Sequence, residues 1–245
     1  MSIEAVRAPG FLAKTWELAR KDLKIEARGR DTLPPMVAFG VAVGLLLAFA
    51  LPGDPNISRS IGSSGARLAD VVAGFLWVTV LFAGLIGFAR TFEVERDDGA
   101  LDALLLVPLD RSGLYLAKAL SNLVMVVVVE IVLLPIFGFI FGLDLGTRWF
   151  TIAGVVALVD VGFVAVGTLF ASIAAHSRSR ELLLPLLALP VLVPIFIAAV
   201  ELTSRTFVGG GFGAIKSSGW FVILISYDAL FAVASALIFE FVIEP

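Results

Sequence analysis

The side chains of this chain that could contact a partner chemically are concentrated in one charged segment between two apolar segments. Residues 92–109 carry five carboxylates between Glu93 and Asp102, together with a single arginine. Gly99 interrupts a helix, and the leucines around Asp102 predict a short amphipathic helix that ends at Pro108. Such an acidic helix could dock in a groove of a soluble protein. The alternative is a solvated loop whose charges only prevent burial.

A second set of carboxylates lies within apolar segments, at Glu130, Asp160 and Asp228. Counting about 1.5 Å per helical residue puts all three roughly 12–17 Å below one membrane boundary, with no Lys or Arg at that depth. An unpaired carboxylate there costs about 2.5–3.5 kcal/mol. We expect these groups either to line a dimer or subunit interior and take part in a conformational change or polar passage, or to hydrogen-bond neighbouring helices as structural contacts.

The remaining reactive residue types are scarce. The chain has no cysteine and one histidine, His176. Disulfides, thiolate metal sites, cysteine nucleophiles and multi-histidine metal or haem sites within the chain are therefore excluded. We expect His176 to cap a helix end rather than to act as a sole haem ligand. Because there is also no nucleophile-elbow, zinc-protease or Walker motif, we predict a non-catalytic chain without a metal site.

The elements that position these residues are predicted to cross a membrane. Hydrophobic residues make up 59% of the chain, charged residues 16%, and the mean hydropathy is +1.02. Apolar runs of about 20 residues are typical of transmembrane helices, because backbone groups in a bilayer must be satisfied within the segment. The predicted fold class is all-α and polytopic, with six transmembrane helices at residues 34–51, 70–90, 114–141, 150–175, 182–202 and 220–243.

An amphipathic helix is predicted before the first span, over residues 11–30. Its apolar face consists of Leu12, Trp16, Ala19, Leu23 and Ala27, and its basic face consists of Lys14, Lys21, Lys24 and Arg28. This pattern favours a helix lying in the membrane interface, and the alternative is a solvated basic flank that only fixes topology. The pair Pro34 and Pro35 is predicted to break this helix and to begin the first span.

The basic residues predict the orientation, because they are enriched on the cytoplasmic side of membrane proteins. Of the 18 Lys and Arg residues, 13 fall in the N-terminal segment and in the second-to-third and fourth-to-fifth connections. The other five fall on the opposite side. We therefore predict residues 1–33 to be a cytoplasmic N-terminal amphipathic helix and residues 34–245 to be the membrane domain. The charged loop, residues 91–110, and both termini would be cytoplasmic.

The charged segment resembles the motif by which ABC-type exporter permeases contact their ATPase subunit. In that motif an acidic-Gly-small-Leu-acidic-x-Leu pattern lies in the first cytoplasmic loop, and residues 95–104, closed by Pro108, follow it here. Phe92 seven residues before Gly99, and Leu-x-Pro-Leu at 106–109, are similar to the CcmB family. That family is the membrane subunit of the cytochrome c maturation ABC complex, known as a haem exporter subunit.

The resemblance implies an ATPase-coupling role for residues of the loop. The acids would contact the ATPase electrostatically, Gly99 would permit the turn, and two leucines would anchor the coupling helix to the spans. The implied coupling residues are Phe92, Glu95, Asp97, Asp98, Gly99, Leu101, Asp102, Leu104 and Pro108. This sequence departs from the family pattern in having Asp102 where Glu is common and Ala100 where Ser or Thr is common.

The resemblance also implies the partners. We expect a homodimer in a bacterial or archaeal cytoplasmic membrane, with a CcmA-like ABC ATPase that binds ATP, a CcmC-like haem-handling subunit and a small membrane subunit. Haem would be pathway cargo rather than a cofactor of this chain, and no nucleic acid partner is expected. Two alternatives remain open: an exporter permease for lipid, polysaccharide or drug, and a membrane scaffold that only recruits an ATPase.

Overall fold

The computed structural model describes residues 10–50, 66–92, 111–141, 146–175, 177, 179–208 and 211–242. Within these residues the chain is helical, with no strand. The α-helices are α1 (Phe11–Gly29), α2 (Leu33–Ala50), α3 (Ala66–Arg90), α4 (Arg111–Ile140), α5 (Trp149–Ala175), α6 (Arg180–Phe207), α7 (Phe212–Lys216) and α8 (Gly219–Val242). A short 3-10 helix, Gly146–Arg148, leads into α5.

Five of the described helices are long and apolar enough to cross a membrane: α3, α4, α5, α6 and α8. Helices α1 and α2 meet at a bend of 67° and would supply a sixth span if the bent pair crossed the membrane together. The prediction of an all-helical multi-pass membrane protein is confirmed. The count of six, with α2 as the first span and α1 in the interface, stays a prediction.

Helix α5 lies at the centre of the bundle. It packs against α3, α4, α6 and α8, and every residue from 162 to 169 is buried. The ring of Phe163 lies 4.9 Å from that of Phe88 on α3 and 5.0 Å from that of Phe196 on α6, both edge-on. This is a favourable geometry for aromatic pairs. Helix α5 is thereby fixed against α3, the helix that leads into the charged loop.

The bend between α1 and α2 forms before the proline pair. Pro34 and Pro35 occupy the first turn of α2, as predicted, where a missing N–H is tolerated. They do not end α1, which stops at Gly29. Arg30 adopts a left-handed conformation with φ of 57° and donates its N–H to the carbonyl of Glu26 at 2.8 Å. The helix is therefore closed by its own C-cap rather than by proline.

Candidate functional site

The described part of the predicted coupling segment is its first residue. Phe92 lies at the end of α3, and α4 begins at Arg111. The other predicted coupling residues lie outside the described residues: Glu95, Asp97, Asp98, Gly99, Leu101, Asp102, Leu104 and Pro108. The structure therefore describes the base of the charged loop, which consists of Thr91 and Phe92 after α3 and of the start of α4.

Phe92 is held in the core of the bundle. Its side chain is buried, and its ring centroid lies 6.4 Å from that of Phe239 on α8. Phe239 also packs against Tyr115 of α4, at 5.1 Å between centroids, and Tyr115 donates a hydrogen bond of 3.1 Å to the carbonyl of Ala165. Phe92 is thus joined by an aromatic contact to α8, and through Phe239 and Tyr115 to α4 and α5.

Lys118 is a buried cation at the same base. Its side chain is 4% exposed, and its Nζ lies 2.9 Å from the Asp22 carboxylate of α1. The same ammonium donates to the carbonyl of Thr91 at 3.2 Å and lies 5.6 Å from the centre of the Phe92 ring. A buried ammonium is stable only with such partners. Lys118 therefore joins α1, α4 and the end of α3.

A chain of polar side chains connects this base to the central helix. Thr91 donates its hydroxyl to Asn122 Oδ1 at 3.0 Å, and Asn122 Nδ2 donates to Thr168 Oγ1 of α5 at 2.9 Å. Asn122 and Thr168 are buried. Hydrogen bonds of this kind between membrane helices contribute about 0.6 kcal/mol each on average. The start of the loop is thereby hydrogen-bonded to the core of the bundle as well as packed against it.

The bend between α1 and α2 is tied to the same region. Glu26 Oε1 of α1 accepts hydrogen bonds from the backbone N–H groups of Thr32, at 2.9 Å, and Leu33, at 2.7 Å. These are donors that the start of a helix leaves unpaired. Arg90, at the end of α3, donates to the carbonyl of Asp31 at 2.7 Å. The bend is therefore held both by α1 itself and by the helix that enters the loop.

A small cavity of about 60 Å³ opens between these helices. Its walls carry two cations and two carboxylates close together. The lining residues are Asp22, Ile25, Glu26, Thr32, Gly87, Arg90, Thr91, Lys118, Ser121, Asn122 and Met125. Because opposite charges balance in the lining, the cavity has no net preference for an anion or a cation.

Helix α1 packs on α4 through small and polar residues, of which Ala19 belongs to the predicted apolar face. Thr15, Ala19 and Glu26 are buried, and the Ser121 hydroxyl of α4 reaches the carbonyl of Ala19 at 3.3 Å. Leu12 and Trp16, from the predicted apolar face, are 78% and 55% exposed. Small and polar residues permit the close approach to α4, and Leu12 and Trp16 are left exposed.

The structure brings two of the three predicted buried carboxylates together. Glu130 of α4 and Asp160 of α5 are 2% and 0% exposed, and their carboxyl groups interact directly across the helix interface. Asp228 of α8 is also buried, but its carboxylate lies against Gly162, which faces another side of α5. The common depth of the three carboxylates stays a prediction, and Asp228 is separated from the other two because it lies on another side of α5.

These buried carboxylates are unsatisfied within the described part of the chain. None of the six carboxylate oxygens of Glu130, Asp160 and Asp228 has a hydrogen-bond partner in the part of the chain that the structure describes. A hydrogen bond to a neighbouring helix, which is the structural alternative, would have to come from within the Glu130–Asp160 pair. If one member of the Glu130–Asp160 pair is protonated, it can donate to the other, which removes both the repulsion and the unpaired oxygens.

Sequence reasoning did not single out Lys118, Asp22, Glu26 or Asn122. Lys118 was counted only toward the orientation, although a lysine well inside an apolar helix is itself a signal, because such a charge needs a partner. His176 lies outside the described residues. Within the described ranges there is no group of three or more His, Cys, Asp or Glu side chains that could hold a metal ion.

The described helices define a multi-pass helical membrane protein in which Thr91 and Phe92, where the charged connection begins, are bonded to and packed against the bundle. The chain belongs to the CcmB family: the family model described as "CcmB protein" matches residues 13–244. "Heme exporter protein B" of Rhodobacter capsulatus is 30% identical over 167 residues, which cover 68% of this chain and 76% of that protein. The protein of the same name from Pseudomonas aeruginosa is 25% identical over 227 residues, covering 90% and 94%.

Proposed function

We propose that this chain is the permease subunit of an ABC transporter complex for cytochrome c maturation, which couples ATP hydrolysis by a separate ATPase to haem delivery, haem export or release of a haem chaperone. The observation that carries the proposal is the family match over residues 13–244. The relatives are named as haem exporter proteins, and haem is accordingly proposed as cargo. The chain itself is proposed to be non-catalytic.

The charged loop, residues 91–110, is the proposed site of coupling. The acidic side chains of the loop would contact a CcmA-like ATPase: Glu95, Asp97, Asp98 and Asp102. Gly99 would permit the turn of the chain, and Pro108 would end the coupling helix. Leu101 and Leu104 would anchor the coupling helix to the spans. The anchored base supports this mechanism, because a force applied to the loop reaches α3, α4 and α8 through Phe92 and α5 through Thr91.

This mechanism requires the charged loop to be in the cytoplasm, and we propose that both termini are there as well. The distribution of 13 against five basic residues supports it. The exposed Leu12 and Trp16 of α1 support an interfacial position for that helix, because they leave an apolar surface beside basic residues at one end of the bundle. We place the chain in the cytoplasmic (inner) membrane, with residues 1–33 in the interface and 34–245 as the permease domain.

The complex would contain other membrane subunits. We propose a homodimer of this chain, two copies of the ATPase, a CcmC-like haem-handling subunit and a small membrane subunit. Glu130, Asp160 and Asp228 are proposed to take part in the conformational change of the permease rather than to bind haem. Haem propionates are anionic, so buried carboxylates are an unfavourable lining for them.

Complementation tests the proposal. A bacterial strain lacking its cytochrome c maturation permease should regain holocytochrome c when it expresses this chain. Gly99→Pro and the double variant Asp98→Ala/Asp102→Ala should fail to restore it while reaching the membrane in normal amounts. Asp98→Glu/Asp102→Glu is the matched control, because it keeps both charges. Failure of the wild-type chain with its own partner subunits present would instead favour an exporter of another cargo, and normal activity of the charge-removed variant would contradict the coupling role of the loop.

A further inference from the structure

Lys118 joins three parts of the chain that the sequence keeps far apart. It lies about two helical turns into α4, buried, with the carboxylate of Asp22 from α1 at 2.9 Å. It also touches both residues at the end of α3 where the loop begins, the carbonyl of Thr91 at 3.2 Å and the ring of Phe92 at 5.6 Å from its centre. One ammonium group is therefore shared between α1 and the base of the loop.

Burial makes this contact different from an ion pair on the surface. An exposed pair can separate at little cost, because water replaces the lost partner. The Lys118 side chain is 4% exposed and that of Asp22 is 11% exposed, so separation would leave charges with little water. When the base of the loop moves, less free energy is needed for α1 to move with it than for the Lys118–Asp22 pair to separate.

A second contact carries such a movement toward α2. Glu26 lies one turn beyond Asp22 on α1 and accepts the backbone N–H groups of Thr32 and Leu33 at the start of α2. Arg90, next to the loop, donates to the carbonyl of Asp31 in the same bend. The bend is therefore attached to α1 on one side and to the end of α3 on the other, and α2 in turn packs on α3 and α4.

We propose that Lys118 is a positioning residue for transport: it makes α1 and the α1–α2 bend move together with the base of the charged loop during the ATPase cycle. This inference rests on the proposed coupling function of the loop. On this inference α1 moves when the ATPase moves the loop, whereas an interfacial helix that only anchors the protein would stay in place.

The test uses the complete complex with its ATPase partner, reconstituted in lipid nanodiscs. The chain has no cysteine, so spin labels can be attached to single introduced cysteines without background. One label is placed at Leu12 on α1, which is 78% exposed, and a second experiment places it at Val94 in the charged loop. The reference label is at Phe150 at the start of α5, which is 89% exposed. The distance from the Leu12 label, or from the Val94 label, to the Phe150 label is measured with and without a non-hydrolysable ATP analogue.

Four variants separate the possible roles. Lys118→Arg keeps the charge, Lys118→Met removes it, and Asp22→Asn/Lys118→Met removes both charges so that neither is left buried and unpaired. Arg20→Gln is the matched control, because Arg20 lies on the same helix with its side chain 55% exposed and its nearest carboxylate, that of Glu17, at 3.9 Å. Holocytochrome formed per ATP hydrolysed is measured for each in parallel.

In the wild type, Lys118→Arg and Arg20→Gln, the analogue is expected to change both distances. In Lys118→Met and in the double variant, the Val94 distance should still change, the Leu12 distance should no longer change, and holocytochrome per ATP should fall several-fold. If the analogue changes the Leu12–Phe150 distance in the double variant as much as in the wild type, the inference is overturned and the proposed function is left intact. The same conclusion follows if the analogue changes the Val94–Phe150 distance in the wild type but never the Leu12–Phe150 distance. If neither distance changes in the wild type, both the inference and the coupling role of the loop are wrong.

Discussion

The ring of Phe88 on α3 lies directly against the backbone of Gly167 on α5, at a point where a Cβ atom would overlap it. The reverse contact occurs one turn away, where the ring of Phe163 on α5 fills the space beside Gly84 on α3. Each helix thus presents a ring to a glycine of the other. Close approach of small residues is a usual way for membrane helices to pack, since burial in lipid provides little driving force of its own.

This contact predicts that Gly167→Ala destabilises the bundle. The added methyl group must displace the Phe88 ring, and overpacking of this kind typically costs about 1–3 kcal/mol. The measurement is the thermal unfolding midpoint of the detergent-solubilised chain. Gly74→Ala on α3 is the matched control, because a Cβ there meets nothing within 4 Å. Equal losses of stability in the two variants would show that the close contact is not what the glycine provides.

The cap on α2 gives a second prediction. Glu26→Ala removes the acceptor for two backbone N–H groups and should destabilise the α1–α2 bend by about 0.5–2 kcal/mol, the usual range for a lost helix cap. Glu26→Gln keeps an acceptor oxygen and should lose much less. Hydrogen exchange at the N–H groups of Thr32 and Leu33 reports the bend directly. Equal exchange in the alanine and glutamine variants would contradict the assigned cap.

The buried carboxylates give a third prediction. Replacing Glu130, Asp160 and Asp228 together by Gln, Asn and Asn keeps their size and removes their ability to carry charge. If they take part in the conformational change, maturation activity should be lost while the complex still assembles. Glu201→Gln is the control, because its carboxylate is exposed and paired with Arg205 at 2.7 Å, an interaction worth about 0–1 kcal/mol. Undiminished activity of the triple variant would leave these groups a structural role alone.

The sequence was sufficient for properties that depend on neighbouring residues. Apolar runs predicted the membrane helices because hydrogen bonding of the backbone in lipid is a local requirement, and the helix over 11–30 was found at 11–29. Residue counting predicted one depth for Glu130, Asp160 and Asp228 because the helical rise is constant, and the carboxyl groups of Glu130 and Asp160 lie close together. Neither inference needed knowledge of which helices are neighbours.

What the sequence could not supply was the rotation and the partners of each helix. Depth alone did not show that Asp228 lies on another side of α5 from Asp160. The sequence pattern of α1 predicted an apolar face toward the membrane interface, but it did not predict the contact with α4, where Thr15 and Ala19 pack because small side chains allow the helices to approach. The Lys118–Asp22 contact joins residues distant in sequence, and such pairs are determined only by the tertiary arrangement.

The central claim is that the charged loop of this chain binds a separate ATPase. Its most direct test is the affinity of the purified ATPase subunit for the chain in nanodiscs, measured at low and high salt. Asp98→Ala/Asp102→Ala should weaken binding about ten-fold or more, or ~1.4 kcal/mol, and should reduce the dependence on salt, because attraction between charges is screened. Unchanged affinity and salt dependence in that variant, with Glu201→Gln also unchanged, would contradict the claim.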